Sequence, residues 1–476
     1  MDSPRPITRR KVVLYNPKAL FFDMPLALLA IGSQLDAARY EVVIIDGRMA
    51  ADPVAEVLKH VRGAVCFGVT ALTGSPLRDA LDVSRVVKRE APEVPVVWGG
   101  WHVSLFPQQP LQDEASIDIT VQGQGEVTFK ELVDRLDKGE PLDGLNGICF
   151  RKEGKIVQTF ARALESMDDF VPSNYDLIDV EAYFQKKGRR QFDYISSTGC
   201  FFRCNFCADP FVFNRKFSAI SPNRMGEELE QLYKKYSFTD INFQDETFFT
   251  YAKRSREFAQ ELIDRGIKVT WAATMRADQG CRMDQGDWKL AKQSGLRRLL
   301  IGVESGSQEM MDYLKKDIKV EQVIECAEIC RDLGIDVHFP FIVGFPKETP
   351  ESIEATVAMV KRLSAMSPGF KTPIFYFKPY PGSKITDDAV KEGYPLPANT
   401  SEWAAFDFGA SGPWVSPEKF TFIENLKFYN RLAHNRRGGL LSPIKSIARW
   451  RLRNDNYRIP IERRLVETLK PGAFLT

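Results

Sequence analysis

The chain has 476 residues, enough for two or three domains, and its 65 Lys/Arg nearly balance its 63 Asp/Glu. The net charge of +2 gives no whole-protein argument for a nucleic-acid partner. Its eight cysteines are few and irregularly spaced, so we expect a reducing compartment and no disulfide framework. Because the sequence has no apolar signal region and no apolar run long enough to span a membrane, we expect a cytoplasmic protein.

Residues 1–140 alternate apolar strand-like runs with helical patterns. The predicted strands are 11–15, 41–46, 64–70, 94–98 and 117–122, and the predicted helices are 26–38, 53–61, 77–89 and 126–138. Strands that are apolar on both faces and separated by helices indicate a doubly wound, Rossmann-like parallel sheet. Its ligand is expected beyond the carboxyl ends of the strands. No G-x-G-x-x-G follows the first strand, which disfavours a dinucleotide and leaves a flavodoxin-like signalling domain as the alternative.

Residues 141–190 resemble a connector that contains a hairpin turning at Glu153-Gly154. The strand–helix alternation then resumes and predicts a partial (β/α)6 barrel over residues 191–392. Its strands are expected at 192–197, 240–244, 268–274, 298–303, 336–343 and 373–378. A mostly helical, basic C-terminal region, 393–476, follows. In a barrel of this kind, function is expected at the carboxyl ends of the strands.

Three cysteines directly follow the first barrel strand. Cys200, Cys204 and Cys207 have the spacing C-x3-C-x2-C, which supplies three thiolates from one loop. A cubane iron–sulfur cluster held entirely by protein needs four thiolates, so three leave one iron open to a small molecule. A zinc site would need a fourth ligand, and no nearby His or Cys provides one. The spacing therefore predicts a 4Fe-4S cluster with one open iron.

In this spacing, and in Phe206 before the last cysteine, the run resembles the signature of the radical S-adenosylmethionine (AdoMet) superfamily. In that superfamily the open iron chelates the amino and carboxylate groups of AdoMet. Segments 243–246, 274–278, 301–306 and 343–346 are similar to the family pattern at successive strand ends. The resemblance implies that a carboxylate after the second strand accepts from the AdoMet amino group and that Arg276 meets a carboxylate. The implied AdoMet-binding residues are Phe206, Asp245, Glu246, Arg276, Glu304, Ser305 and Gly344.

The order of the two domains resembles the cobalamin-binding radical AdoMet family over residues 11–385. That resemblance implies a cobalamin site after the N-terminal strands, formed by Asn16, Thr70, Leu72, Thr73, Ser75, Gly99, Gly100, Trp101, His102, Gly123, Gly125 and Glu126. The D-x-H-x-x-G sequence that supplies a lower cobalt ligand is absent. We therefore favour cobalt without a protein His ligand, with Leu72 against the lower corrin face. His102 is expected to contact the nucleotide tail or to serve as loop structure, ahead of binding cobalt.

The family resemblance implies methylation of an unactivated carbon through a 5′-deoxyadenosyl radical and methylcobalamin. Two alternatives are a cyclase-like enzyme, as in the anaerobic magnesium-protoporphyrin ester cyclase branch, that forms or rearranges a ring, and a non-catalytic cobalamin-binding sensor. The methylthiotransferase branch is disfavoured because only Cys66 and Cys149 precede the barrel.

Expected partners are a small-molecule substrate, with a lipid or a tetrapyrrole as candidates, and an electron donor such as flavodoxin or ferredoxin. From Arg431 to Thr476 the chain has eleven Lys/Arg and three Asp/Glu, a local net charge of +8. This basic tail is either a solvated helix face or a peripheral membrane contact, with Leu440 and Trp450 as anchors.

Overall fold

The computed structural model describes residues 9–406, 411–434, 442–457 and 460–464. The chain divides into two compact units, which are described one at a time. The first contains the residues up to Glu246 together with 264–269 and 380–407, and the second contains 247–263, 270–379 and the residues from 408 onward.

The first unit contains a seven-stranded sheet in the order β2-β1-β3-β4-β5-β6-β7. Its strands are β1 (Arg10–Asn16), β2 (Tyr40–Asp46), β3 (Cys66–Thr70), β4 (Val96–Gly99), β5 (Ile119–Val121), β6 (Ile148–Lys152) and β7 (Lys155–Gln158). The five N-terminal strands are parallel, and apolar side chains are buried on both faces of the sheet. The predicted doubly wound sheet is confirmed.

The remaining elements of the first unit are helices and short strands. Its helices are α1 (Leu26–Ser33), α2 (Pro53–Val61), α3 (Ser75–Glu90), α4 (Trp101–Leu105), α5 (Gln109–Asp113), α6 (Glu126–Lys138), α7 (Val180–Lys187), α8 (Asp209–Val212), α9 (Pro222–Tyr236), α16 (Lys384–Lys391) and α17 (Thr400–Ala404). Its short strands are β8 (Gln191–Tyr194), β9 (Ser197–Thr198), β10 (Ser218–Ala219) and β11 (Asp240–Phe243). Strands β8 and β11 pair in parallel, and β9 pairs with β10 in the antiparallel sense.

The predicted hairpin is present and turns at Glu153 and Gly154, which both have positive φ. It is also part of the N-terminal sheet, because β6 pairs with β5 in the antiparallel sense. The domain limits at residues 140, 190 and 392 remain predictions.

The second unit has a parallel ladder of four strands in the order β16-β14-β13-β12, and a parallel pair, β15 and β17. Its strands are β12 (Thr270–Met275), β13 (Leu296–Ile301), β14 (Asp336–His338), β15 (Phe341–Val343), β16 (Phe370–Lys371) and β17 (Ile374–Tyr376). Its helices are α10 (Ala252–Asp264), α11 (Ala277–Arg282), α12 (Gln285–Gln293), α13 (Gln308–Tyr313), α14 (Val320–Asp332), α15 (Pro350–Met366), α18 (Pro417–His434) and α19 (Ser442–Arg453). The six predicted barrel strands correspond to β8 and β11 of the first unit and to β12, β13, the pair β14 and β15, and β17 of the second. Helices lie between them in the sequence.

Two elements differ from prediction for local reasons. Helix α1 ends at Ser33, five residues before its predicted end, because the Asp36 carboxylate accepts from the amide of Ala38 and forms a turn. The single strand predicted over 336–343 is divided at Pro340, which has no N–H to donate to a ladder. The Pro340 carbonyl instead accepts from the amides of Val303 and Glu304. Among the described helices, none is both long and apolar enough to cross a membrane.

Candidate functional site

A cavity of about 250 Å³ lies at the carboxyl edge of the N-terminal sheet. Half of the predicted cobalamin residues line it, namely Thr70, Gly99, Gly100, Gly123, Gly125 and Glu126. A hydrogen-bonded group forms part of its polar wall: the Tyr194 hydroxyl donates to Glu228 at 2.6 Å, and Arg224 donates to the same carboxylate at 2.7 Å. Small-molecule pockets begin at about 300 Å³, so this cavity suits part of a large cofactor.

Gly100 and Glu126 determine what this edge of the sheet presents to the cavity. Gly100 has φ +95°, and a Cβ there would lie 2.9 Å from the Thr70 hydroxyl, so a side chain would be both strained and crowded. Burial raises the pKa of Glu126, and the nearby Glu165 carboxylate adds to the effect. The edge therefore combines close backbone approach with a half-buried carboxyl group of raised pKa.

The other six predicted cobalamin residues are outside the cavity lining. Asn16 donates to Asp46 at 3.1 Å, and its carbonyl accepts from Gly47, so it fixes the end of β1. Ser75 opens α3 and is exposed, and the ring of Trp101 packs 6.2 Å from that of Phe213. Leu72 is 43% exposed, as the predicted contact with a flat apolar ligand requires. Thr73 and His102 form a separate buried pair.

His102 is fully buried in the core. Its Nδ1 lies 3.0 Å from the Thr73 hydroxyl, and its ring packs 5.4 Å from Phe106 and 6.2 Å from Trp403. Burial lowers the pKa of His102 to about 4. Its Nε2 is buried without a hydrogen-bond partner among the described residues. Of the roles considered for His102, this environment favours loop structure.

The cysteine loop is anchored at both ends. Gly199 has φ +79°, and a Cβ there would collide with the carbonyl of Lys216, so glycine is needed immediately before Cys200. At the other end, the amide of Ile385 donates to the carbonyl of Asn205 at 3.1 Å. The loop therefore has a defined path between β9 and α8.

The three cysteines of this loop are partly buried and uncrosslinked. Burial raises the pKa of the Cys207 thiol to about 12, with smaller contributions from the nearby Asp209, Cys204 and Cys200. Within the described residues, no three His, Cys, Asp or Glu side chains are arranged to hold a single ion. That finding is compatible with a cubane, because each cysteine of such a cluster binds a different iron.

The two carboxylates that follow β11, Asp245 and Glu246, differ sharply in their surroundings. Asp245 is buried and accepts from the Ser196 amide at 2.7 Å, the Ser196 hydroxyl at 2.5 Å and the Ser197 hydroxyl at 2.6 Å, so it ties β11 to the segment before the cysteines. Glu246 accepts from the Gly199 amide, but its Oε2 is buried without a partner in the described structure. Burial raises the pKa of Glu246 to about 8, and the Asp209 charge adds to the effect.

Asp209, two residues after Cys207, was not among the predicted site residues. It is 3% exposed, and neither carboxylate oxygen has a hydrogen-bond partner among the described residues. Burial raises its pKa to about 7. Asp209 and Glu246 thus form a pair of buried carboxyl groups with unused oxygens. Such groups are costly without a cationic partner, so the pair is suited to a cationic ligand.

The second unit contains four of the other predicted AdoMet residues, Arg276, Glu304, Ser305 and Gly344, whereas Phe206 lies in the cysteine loop of the first unit. Glu304 has φ +66°, and its Oε1 lies 2.5 Å from Nζ of Lys316, with both side chains less than a tenth exposed. Lys316 was missed because it occurs in the charged run 315–317, which resembles a solvated loop. Its two neighbours, Lys315 and Asp317, have φ of 52° and 54°, a strained backbone that directs the lysine inward.

Arg276, Ser305 and Gly344 make contacts within the second unit. The Arg276 guanidinium pairs with Asp278 at 3.0 Å and donates to the Lys316 carbonyl. The Ser305 hydroxyl lies 3.0 Å from that of Thr356 and accepts from the Ser307 amide. Gly344 has φ +87°, and its amide donates to Glu348 at 2.7 Å. Arg276, Glu304 and Lys316 therefore form one connected charged group.

A doubly wound sheet with a ligand cavity, followed by a three-cysteine loop and strand–helix units, is the arrangement expected of a radical AdoMet enzyme with a corrinoid-type domain. Residues 194–360 match the Radical SAM superfamily, and residues 17–133 match the B12 binding domain. An uncharacterised methyltransferase of Pyrococcus horikoshii is 31% identical over 389 residues, 80% of this chain and 82% of the relative.

A second relative is the anaerobic magnesium-protoporphyrin IX monomethyl ester cyclase of Rubrivivax gelatinosus, 28% identical over 347 residues. That match covers 71% of this chain and 62% of the cyclase. The solved structure of TsrM from Kitasatospora setae, a radical AdoMet methyltransferase with cobalamin and a [4Fe-4S] cluster bound, has a TM-score of 0.71 at 17% identity. It covers 94% of this chain and all of TsrM, which shows a shared fold.

The chain belongs to the cobalamin-binding family of radical AdoMet enzymes. The predicted family, the fold class and the three cofactors (4Fe-4S cluster, AdoMet and cobalamin) are confirmed, as is the interpretation as an enzyme of the methyltransferase kind. The cyclase alternative fits less well, because the match to the cyclase covers a smaller part of it. The assignments of individual residues remain predictions.

Proposed function

We propose that this enzyme methylates an unactivated carbon of a small-molecule substrate. The single observation that carries the proposal is the cysteine loop, with two carboxyl groups next to it that have buried, unpartnered oxygens, in one compact unit with the cavity at the sheet edge. This arrangement provides places for a cluster, for a cationic cosubstrate and for part of a large cofactor.

Cys200, Cys204 and Cys207 would each hold one iron, which replaces the thiol proton that burial otherwise retains on Cys207. When bound, the cluster supplies the electron that cleaves one AdoMet, and cobalamin carries the methyl group of another. Gly199 and the Asn205–Ile385 hydrogen bond hold the loop in position. Asp245 keeps the serines before the loop in place and has little capacity left for a ligand.

Asp209 and Glu246 would bind the ammonium group of AdoMet. Their unpartnered oxygens are buried, so water cannot solvate them, and a cation there would gain charge-assisted hydrogen bonds. On the second unit, the Arg276 guanidinium is engaged by Asp278 and a carbonyl, and Lys316 is engaged by Glu304, so neither cation is assigned to a ligand. Cobalamin would place part of its structure in the cavity beside Gly100, with Leu72 against the ring.

The test is anaerobic reconstitution with iron, sulfide and cobalamin, followed by product analysis after reduction. A C-methyltransferase should show both cluster and corrin absorption and form 5′-deoxyadenosine together with S-adenosylhomocysteine. Cys204→Ala should abolish 5′-deoxyadenosine, whereas Cys281→Ala, a partly exposed cysteine outside the loop, should not. Formation of 5′-deoxyadenosine without S-adenosylhomocysteine would contradict methyl transfer and indicate the cyclase-like activity. A sensor would form neither product.

An electron donor is part of the proposal, because cleavage of AdoMet requires a low-potential electron. Reduced flavodoxin or ferredoxin should support 5′-deoxyadenosine formation in place of a chemical reductant. If only a strong chemical reductant supported it, while both proteins were shown to be reduced, that part of the proposal would be wrong.

A lipid or tetrapyrrole substrate, and peripheral membrane contact, would suit the outer face of α19. Ile447 and Trp450 are 41% and 52% exposed there, beside the exposed Arg449 and Arg453, while Ala448 is buried. Leu440, the other predicted anchor, lies outside the described residues. Apolar anchors flanked by arginines are suited to an anionic bilayer.

Flotation with anionic liposomes tests this contact. Trp450→Glu should reduce salt-sensitive binding, whereas Phe160→Glu, which changes an 87% exposed aromatic side chain elsewhere, should not. Equal binding by wild type and both variants would exclude α19 as the contact.

A further inference from the structure

The strand ladder of the second unit has one covered face and one open face. Leu299, Val337 and Phe370 are at most 2% exposed and form the covered face. Leu300, the next residue after Leu299 on β13, is 43% exposed. Since successive side chains of a strand point to opposite faces, Leu300 marks the open face.

Strand register aligns polar side chains with Leu300 on this open face. Leu300 is opposite Thr274 on β12 and His338 on β14, and His338 is opposite Lys371 on β16. Neighbouring strands are about 4.8 Å apart, so these side chains form a continuous row. Arg298, two residues before Leu300, is on the same face and opposite Asp336.

The charges around His338 are predominantly positive. Burial, together with smaller effects of the Arg298, Lys371 and Arg297 charges, lowers the pKa of His338 to about 4, while Asp336 opposes the shift. The imidazole is therefore neutral near pH 7. No hydrogen bond of the His338 ring occurs within the described structure, which leaves its nitrogens available.

Apolar side chains continue the open face beyond this row. Ile342, four residues after His338, is opposite Phe375 on β17, and Phe375 is 55% exposed. Leu300 and Phe375 are therefore both available on this face to contact an apolar ligand group. The face thus presents an apolar part next to a basic part.

We propose that Arg298, His338 and Lys371, which share the open face, bind an oxyanion of the substrate, with Leu300 and Phe375 contacting the adjoining apolar part. The oxyanion is a phosphate, phosphonate or carboxylate group. This inference rests on the proposed function, because it assigns a class of substrate to the same enzyme. Arg298 and Lys371 attract the anion, and His338 takes up a proton as it binds. Binding should therefore tighten as the pH falls.

The test uses histidine-selective ¹³C labelling of the holoprotein with its cluster in the diamagnetic oxidised state. The chain has only four His, so each signal can be assigned by single substitution. Titration with inorganic phosphate should move the His338 signal selectively and raise its pKa. Lys371→Met should weaken phosphate binding about tenfold, the effect of losing one charge-assisted hydrogen bond. Lys253→Met, which changes an 82% exposed lysine on α10, is the matched control.

Comparison of phosphate with acetate distinguishes the classes of anion. A response to phosphate but not acetate assigns the phosphate class, and a response to both assigns oxyanions in general. An unmoved His338 signal, or equal shifts at all four His, would refute the site. Phosphate binding needs no turnover, so its result is independent of whether the enzyme transfers methyl groups.

Discussion

His102→Leu is expected to change the acid dependence of stability while leaving bound cobalamin spectroscopically unaltered. The wild-type imidazole is buried, and its pKa is lowered from 6.5 to about 4. The folded state therefore resists a proton that the unfolded chain accepts. Its contribution to stability is fully present above pH 6.5, declines as the pH falls through the window, and is lost at about pH 4.

The size of this loss of stability follows from the change in the pKa of His102. Two and a half pKa units at about 1.36 kcal/mol each give a loss of roughly 3 kcal/mol across the window. At neutral pH the variant should stay within about 1 kcal/mol of wild type, because it loses one hydrogen bond but also removes the unpartnered Nε2. The Thr73 hydroxyl retains its hydrogen bond with Tyr380.

Urea unfolding of wild type and variant at several pH values measures this difference. His60→Leu, which changes a 28% exposed histidine on α2, is the control and should keep the wild-type acid dependence. Parallel losses of stability in wild type and His102→Leu on acidification would refute the reasoning. A changed corrin spectrum in His102→Leu would mean that His102 binds cobalt.

Three further substitutions test other parts of the first unit. Lys187→Met removes the cationic partner of the fully buried Asp193 carboxylate and should lower the free energy of unfolding in urea by about 3–5 kcal/mol. Lys186→Met, which changes an exposed lysine, should lower it by less than about 1 kcal/mol. Gly100→Ala should weaken cobalamin binding in equilibrium dialysis, because strain and crowding coincide there, more than Gly123→Ala, where φ is also positive but the space is open. Asp209→Asn should weaken AdoMet binding about tenfold by calorimetry but spare an analogue lacking the amino group; equal losses for both ligands would contradict its assigned role.

Local signals made the N-terminal elements predictable. Helix α2 starts where Asp52 accepts from the Ala55 amide, with Pro53 as its first residue, and its bounds match prediction. Helix α6 ends as predicted, before Gly139, which has a left-handed conformation. The turn at Asp36 was missed because its carboxylate competes with a helical apolar pattern that continues past it.

The residues of the candidate site were likewise predictable only where the signal is local in the sequence. The cysteines are close in sequence, so their spacing alone indicated a shared ligand. Asp209 and Lys316 acquire their significance from burial, which depends on chain segments distant in sequence. Arg276 was correctly placed at a strand end, but nothing in the sequence revealed that Asp278 and a backbone carbonyl would engage its guanidinium.

The hairpin β6–β7 has a consequence for aggregation. Without it, β5 would expose a row of unpaired backbone groups along an apolar strand, a template for pairing with another chain. With it, the sheet ends on β7, which is four residues long and presents the exposed Lys155 and Gln158. A cofactor-binding fragment cut at residue 140 should therefore self-associate, whereas one that extends past Phe160 retains a short, charged edge that discourages it.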